Sequence, residues 1–395
     1  MPILWNSPLI LDSYDVSFSY RQTSRYSEEA ALFLPPEVVL YPLASAPPRR
    51  HTAAMGNSTV QRLLSRTKRV ATEGWDLLLR YPRFGLDVLR IRSVLRTVRP
   101  TVVHLNNGGY PGARSVRAGA VAARLVGCQR VVMVVNNIAY PYSTVGRIVD
   151  FPLDLLVRHC TDTFVTASAS SREALISVLS LEPSVVVQIP NAVTQPAIST
   201  DRGLVRASVG ATDETIVIGL VGLLEERKGH APLIAAVARL FEMDPSLRTN
   251  VRIWLVGDGP LLPGLRSKVH ELGLEENFTF FGYLQDYLQV VNAMDIVVAP
   301  SLSQEDSPLA TLEAMSLAIP VVASSLAGLS EQVIHADTGY LVEPGDDTAL
   351  ALRLLDLIGS ESKRKDFGAR GLQRYSSQYS PEALIKSYTR LYSAE

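Results

Sequence analysis

The feature that most constrains this chain is an alternation that runs through it twice. Short runs rich in Val and Ile, three to seven residues long, take turns with longer stretches of helical pattern. In the first half the runs are 38–41, 101–105, 131–135, 163–166 and 185–189, with helices expected over 58–99, 119–126, 148–160 and 171–179. In the second half they are 215–221, 251–256, 278–281, 296–299, 321–323 and 339–342. Helices are expected there over 231–241, 262–272, 286–293, 310–317, 328–334, 347–358 and 381–392. Uninterrupted apolar strands belong to sheets covered on both faces, and their alternation with helices gives parallel sheets. The looser stretch 195–212 reads as a linker. The expectation is two tandem Rossmann-like doubly wound α/β domains, 1–195 and 213–378, facing each other across a cleft. Residues 379–395 are expected as a C-terminal helix packing back towards the N-terminal domain. Ligands of such sheets lie outside the carboxyl ends of the strands.

Length agrees with two domains, because 395 residues exceed what one core usually holds. The formal net charge of −1 conceals a division: residues 1–199 carry +8 and residues 200–395 carry −9. Most of the positive excess lies between Arg49 and Arg99, where twelve basic residues face only Glu73, Asp76 and Asp87. With Trp75, Tyr81 and Phe84 interleaved, this segment reads either as an interfacial face at a membrane or as a solvated helix face. The apolar content of 47% excludes wholesale disorder. Cys128 and Cys160 fit no metal or redox spacing and suggest a reducing compartment. The first residues lack a basic start before their apolar run, and no run is long enough to span a membrane. The expected location is the cytoplasm, at the inner face of the membrane. Nucleic acid is not expected as a partner.

The residues with most chemical content lie in 301–324, SLSQEDSPLATLEAMSLAIPVVAS. Glu305 falls in the loop after the strand 296–299, and Glu313 in the first turns of the next helix. A helix entered this way offers free N–H groups and the positive end of its dipole, which suits a phosphate beside Ser307, Pro308, Leu309, Ala310 and Thr311. Pro308 suits the first turn, where its missing N–H is not needed. The two carboxylates then flank an anion site and can accept bonds from sugar hydroxyls, or else they are ordinary acids near a helix start. The glycine-rich segment Asn106, Asn107, Gly108, Gly109 through Gly112 follows a strand, and either lines an acceptor side or makes a tight turn. No metal is expected, because no D-x-D pair occurs and the six histidines are dispersed. His104, at a strand end, reads as a structural histidine. Neither a G-x-S-x-G elbow nor a G-x-G-x-x-G fingerprint is present.

These motifs occur in company. VGLLEERKG, VRIWLVGDGP, FFGYL, DIVVAPS, the two glutamates eight apart, IPVVAS, AGLSE and GYLVEPGD follow one another from Val221 to Asp346. In that order the chain resembles the retaining nucleotide-sugar glycosyltransferases of the GT-B fold, the family 4 type. The first half resembles them chiefly at RPTVVHLNN and QIPNAV. The resemblance implies a transfer from a nucleotide diphosphate-sugar, UDP- or GDP-linked, to a hydroxyl acceptor with retention at the anomeric carbon. It implies no cofactor or metal, a saccharide or lipid-linked acceptor, and a role in surface polysaccharide or glycolipid biosynthesis. It implies that Glu313 holds the ribose and Glu305 the donor sugar. The N–H groups around Ser307, Leu309 and Ala310 would bind the diphosphate, and Lys228, beside Arg227 and following Gly222, would neutralise it. Lys228 and Glu305 are the implied catalytic pair. The chain departs from the family pattern at Leu223, where an Arg is usual, and at Asn136 and Asn137, where a His often contacts the sugar. The usual Gly-Gly loop near the start is replaced by residues 17–27. A GT-B-fold sugar-nucleotide epimerase and a non-catalytic glycosyltransferase-like partner are the alternatives.

Overall fold

The computed structural model describes residues 7–11, 13–21, 38–43, 77, 79–303 and 305–393. The chain divides into two compact units. The first comprises Met1–Thr166, Arg172–Val187 and Thr389–Glu395, the second Ala167–Ser171 and Gln188–Tyr388.

In the first unit β1 (Ser17–Arg21) pairs in parallel with β2 (Val39–Leu43). A separate four-stranded sheet runs β3 (Val102–Asn107), β4 (Arg130–Val135), β5 (Thr163–Thr166), β6 (Val186–Gln188) in that order. Its core is Val103, Val131, Met133, Phe164, Leu175 and their neighbours. Helices α1 (Arg80–Val98), α2 (Arg114–Leu125) and α3 (Val145–Cys160) pack beside it. Of the helix expected over 58–99, residues 58–76 and 78 lie outside the described residues. His104 lies in the middle of β3 rather than at its end. Its Nδ1 meets the Tyr392 hydroxyl at 2.6 Å, and burial lowers its pKa to about 3. Arg130 in β4 donates to the Leu391 carbonyl at 2.5 Å, so these last residues of the chain are bonded into the first unit.

Sequence patterning did not register an ion network behind the α2–α3 layer. Asp154 accepts from the Tyr110 hydroxyl at 2.9 Å, Tyr142 at 2.8 Å, Arg117 at 3.2 Å and Arg147 at 2.7 Å. Asp150 pairs with Arg80 at 2.9 Å and Arg117 at 3.4 Å. Burial and the Asp154 carboxylate push the Tyr142 hydroxyl up to about 12, so it stays protonated and donating.

The second unit carries a six-stranded parallel sheet of β7 (Ile216–Val221), β8 (Val251–Val256), β9 (Phe278–Gly282), β10 (Ile296–Ala299), β11 (Val321–Ser324) and β12 (Gly339–Val342). Its order is β12-β11-β10-β7-β8-β9. Counted along the chain this is 3-2-1-4-5-6, so the order reverses between β7 and β10, and ligands of such sheets bind outside the strand ends at that point. Both faces are covered, which is why the strands read as apolar runs: Ile218, Leu220 and Ile253 pack to one side, Val217, Trp254 and Val297 to the other.

Two expectations need correction here. The stretch 195–212 is not featureless, because it contains α4 (Arg202–Ala207), capped by the Asp201 side chain. Arg206 is 1% exposed and binds the Ala293, Thr212 and Thr215 carbonyls and the Asp295 carboxylate. An arginine this well satisfied is a core residue that its charge disguises in sequence. The second correction is a helix that polar composition and two glycines concealed. The sheet's helices include α5 (His230–Met243), α6 (Leu262–Glu271), α7 (Tyr287–Asn292), α8 (Leu309–Ser316), α9 (Ala327–Gln332) and α10 (Asp347–Ile358), and α11 (Glu361–Gln378) follows with 18 residues. Gly368 reads as a breaker, yet a Cβ there would lie 1.9 Å from the Ala318 carbonyl oxygen. The missing side chain lets α11 press against the turn that ends α8.

Gly368→Ala is therefore expected to destabilise the protein by about 1–3 kcal/mol despite alanine's better helix propensity. Gly264→Ala, in α6 with nothing near its added methyl, is expected to gain up to ~1 kcal/mol. Chemical denaturation of both variants reads the contrast.

Candidate active site

The site is built where β7 and β10 part, and two loops meet there. After β7 the chain runs from Gly222 to a single 3₁₀ turn, Glu226–Lys228. Gly229 follows with φ 75°, a conformation glycine adopts without cost. A Cβ on Gly229 would sit 1.8 Å from the Pro300 carbonyl oxygen of the loop after β10. The Leu302 amide donates to the Arg227 carbonyl at 2.7 Å. The loop bearing the cations and the loop bearing Glu305 are thus laced through their backbones.

Their side chains meet on one atom. Glu305 Oε1 receives Lys228 Nζ at 2.5 Å, Arg227 Nη1 at 3.0 Å and the Ser301 hydroxyl at 2.9 Å. Glu305 is 4% exposed, and two cations offset the cost of a buried carboxylate. Among the described residues, all three donors converge on Oε1. The Lys228 stem runs 3.7–3.8 Å from the position of a Cβ on Gly222. His230, next but one to Lys228, has its pKa lowered to about 4 by burial and by the lysine charge, so it adds no charge at neutrality. Leu223 is exposed.

The segment from Glu305 to Pro308 is held from the other side by α9. The Gly328 amide donates to the Glu305 carbonyl at 3.1 Å, and a Cβ on Gly328 would lie 1.4 Å from the Asp306 carbonyl oxygen. Ser307 is fixed by Gln332 Nε2 to its hydroxyl at 3.2 Å and by Asn191 Nδ2 to its carbonyl at 3.4 Å. Asp306 is buried and accepts from Ser168 at 2.5 Å and from Ser171. Pro308 is the residue before the helix rather than in its first turn. It makes no side-chain cap bond, so it supplies no partner for the first N–H groups of α8.

Glu313 lies in the second turn of α8, buried, and accepts from the Tyr287 hydroxyl of α7 at 2.6 Å. Neither Glu305 nor the cations are among its hydrogen-bond partners. Sequence reasoning missed Tyr287, Ser301, Asp306 and Gln332 as supports. Gly328 stood inside the quoted AGLSE motif, and its close approach is what that glycine marks.

In the first unit the candidate residues divide. Asn106 and Asn107 close β3 rather than open a loop. Asn107 is fully buried and uses its amide on the Pro111 carbonyl at 3.2 Å and the Ala113 N–H at 3.0 Å. It therefore clamps its own loop, and Gly112 is required there because a Cβ would lie 1.9 Å from Asn107 Oδ1. Asn136 Nδ2 donates to Asn106 Oδ1 at 2.6 Å and to the Asn107 carbonyl at 3.1 Å. Asn137 Oδ1 accepts from the Ile138 amide at 2.8 Å. Gly108 is exposed and Gly109 buried, the latter packed on Asn137.

Residues 201–374 match the family model for glycosyl transferases group 1. The chain is similar to the D-inositol 3-phosphate glycosyltransferase of Stackebrandtia nassauensis, 30% identical over 243 residues, 58% of this chain and 54% of that one. It thus spans about half the length of that relative. It is 27% identical over 268 residues to the UDP-Gal:alpha-D-GlcNAc-diphosphoundecaprenol alpha-1,3-galactosyltransferase of Escherichia coli, 66% of this chain and 67% of that one. Among solved structures, Anabaena HepE in complex with UDP superposes with a TM-score of 0.73 at 18% identity, covering 96% of this chain and 92% of that one. At that identity the likeness establishes the fold, which is GT-B: two Rossmann-like units, each with a parallel sheet.

Burial raises the Glu313 pKa, although the Tyr287 bond opposes the rise. In the unfolded chain Glu313 ionises at its ordinary value, so near neutrality the fold carries the cost of a buried charge. Below the usual carboxylate range the residue is protonated in both states and that cost disappears. Glu313→Gln is expected to raise the free energy of unfolding near pH 7, with the gain vanishing as the pH falls to about 3. Denaturant titrations across that range check it.

Proposed function

We propose that this chain, whose residues 201–374 match the family model for glycosyl transferases group 1, is a glycosyltransferase. It moves a sugar from a nucleotide diphosphate-sugar to a hydroxyl acceptor with retention at the anomeric carbon. The observation that carries the reading is the Arg227–Lys228 pair seated on buried Glu305 at the sheet's switch point, in the same loop that leads into the uncapped start of α8.

The chemistry follows from charge. As the glycosyl–phosphate bond breaks, its electron pair passes to a diphosphate oxygen and the anomeric carbon becomes oxocarbenium-like. Lys228 and the α8 N–H groups stabilise the departing diphosphate without reorganising. Glu305, already neutralised by two cations, offers Oε2 to the donor sugar's hydroxyls. Glu313 takes the ribose hydroxyls, oriented by Tyr287. The acceptor hydroxyl attacks from the face the diphosphate leaves, and its proton goes to the leaving phosphate oxygen, so no protein base is assigned. No metal is assigned either, since Lys228, Arg227 and the helix end supply the positive charge. Asn106, Gly108 and Asn136 of the first unit are the candidate acceptor-side or sugar-contact groups.

Anabaena HepE was crystallised with UDP and with UDP-glucose, which supports a UDP-sugar donor. The name of the Escherichia coli relative carries a diphosphoundecaprenol acceptor, which supports a lipid-linked acceptor here and a role in surface polysaccharide or glycolipid assembly.

Lys228→Met is expected to lower kcat by about 10²–10³-fold with a smaller change in the donor KM. Glu313→Ala is expected to weaken UDP binding by roughly 10–100-fold in calorimetry. Purified protein offered UDP- and GDP-sugars with saccharide and lipid-linked acceptors should transfer sugar. Absence of transfer from every pairing would overturn the reading, and conversion of a donor without acceptor would point to an epimerase.

A further inference from the structure

Helix α3 buries ions and exposes apolar side chains. Its inward side carries Arg147, Asp150 and Asp154 beside Leu153 and Val157, all buried. Its outward side carries Val145, Ile148, Phe151, Leu155 and Leu156, which are 39–67% exposed. Their spacing is that of one helical stripe. In water alone the outward stripe is unfavourable, because a run of apolar groups on one helix face stays wet.

The neighbouring helix continues the face. Arg80 donates to the Gly146 carbonyl at 2.5 Å, and the Tyr81 hydroxyl to the Val149 carbonyl at 2.7 Å. These bonds join the first turn of α1 to the first turns of α3, while the rest of α1 packs on α2, and α1 adds exposed Tyr81, Leu86 and Leu89.

Charge identifies the occupant. Helices α1, α2 and α3 contain ten arginines and three carboxylates. Each carboxylate is paired: Asp87 with Arg114, Asp150 with Arg80, Arg117 and Arg147, Asp154 with Arg117 and Arg147. None of the three is exposed, whereas Arg90, Arg96 and Arg158 are. Towards solvent the two helices α1 and α3 therefore offer apolar side chains and cations and no carboxylate.

We infer that this α1–α3 face docks on an anionic lipid surface, with the α3 stripe at the acyl boundary and the arginines among the headgroups. A second copy of the chain fits less well, since it would set the same arginines against one another. Sequence patterning put membrane contact between Arg49 and Arg99, of which 49–76 and 78 lie outside the described residues. The stripe on α3 is a separate carrier, and it does not depend on the transfer reaction.

The test is co-sedimentation of the full chain with phosphatidylcholine vesicles, with and without phosphatidylglycerol. Binding is expected to need phosphatidylglycerol and to weaken with salt. Ile148→Glu with Leu156→Glu is expected to lower the partition coefficient at least ~10-fold, with melting temperature and UDP affinity unchanged. If that pair melts lower, Val145→Ser, at the most exposed position of the stripe, reads the same face with less perturbation. Arg90→Gln with Arg96→Gln is expected to reduce the preference for phosphatidylglycerol. Equal binding to both vesicle types, or undiminished binding by the folded stripe variants, would overturn the inference. So would sedimentation velocity showing a wild-type dimer that the stripe variants abolish.

Discussion

Glu305 is a buried carboxylate that three donors reach through one oxygen, and the second unit's site is arranged around that fact. The desolvation of Glu305 is tolerable only while Lys228 and Arg227 stay in place, and their loop stays in place because Gly229 can pass under Pro300. The same residues that solve a stability problem gather an ammonium, a guanidinium and a carboxylate at the reversal of the strand order. Site and fold are coupled there, and neither loop can be rebuilt without moving the other. The supports on the far side belong to the same constraint. Gly328 lets α9 approach the Asp306 carbonyl, and Ser307 is held from Gln332 and Asn191, so the chain enters α8 along a fixed path.

The second unit was more legible than the first, for physical reasons. Its strands are covered on both faces, so each appears as an unbroken apolar run, and its loops carry glycines at Gly257, Gly229 and Gly328, where an added Cβ would lie only 1.4–2.0 Å from a backbone oxygen. Such positions leave a mark in sequence. What stayed hidden was whatever polarity disguised. Arg206 is a core residue with a charge, α11 is a packed helix with two glycines, and Tyr287 announces nothing until it is seen on Glu313. In the first unit the Asn107 amide looked like a sugar ligand by type, whereas its burial shows it tying its own loop.

The division of charge between the halves also takes on structure. Among the described residues of the first unit, Arg80, Arg117 and Arg147 are turned onto Asp150 and Asp154, while Arg90, Arg96 and Arg158 are exposed on helices that also present apolar side chains. In the second unit two cations are gathered on one buried glutamate, within a half of the sequence whose net charge is −9. Net charge describes neither arrangement; what matters is which charges are paired and which side of a helix they occupy.

A crystal structure of the protein with UDP tests the central claim most directly, because it locates the diphosphate against named atoms. The account expects phosphate oxygens about 3 Å from Lys228 Nζ and from the Leu309 and Ala310 amides, with the ribose hydroxyls on Glu313. A nucleotide bound elsewhere, or a diphosphate that leaves Lys228 wholly on Glu305 and the start of α8 untouched, would contradict it.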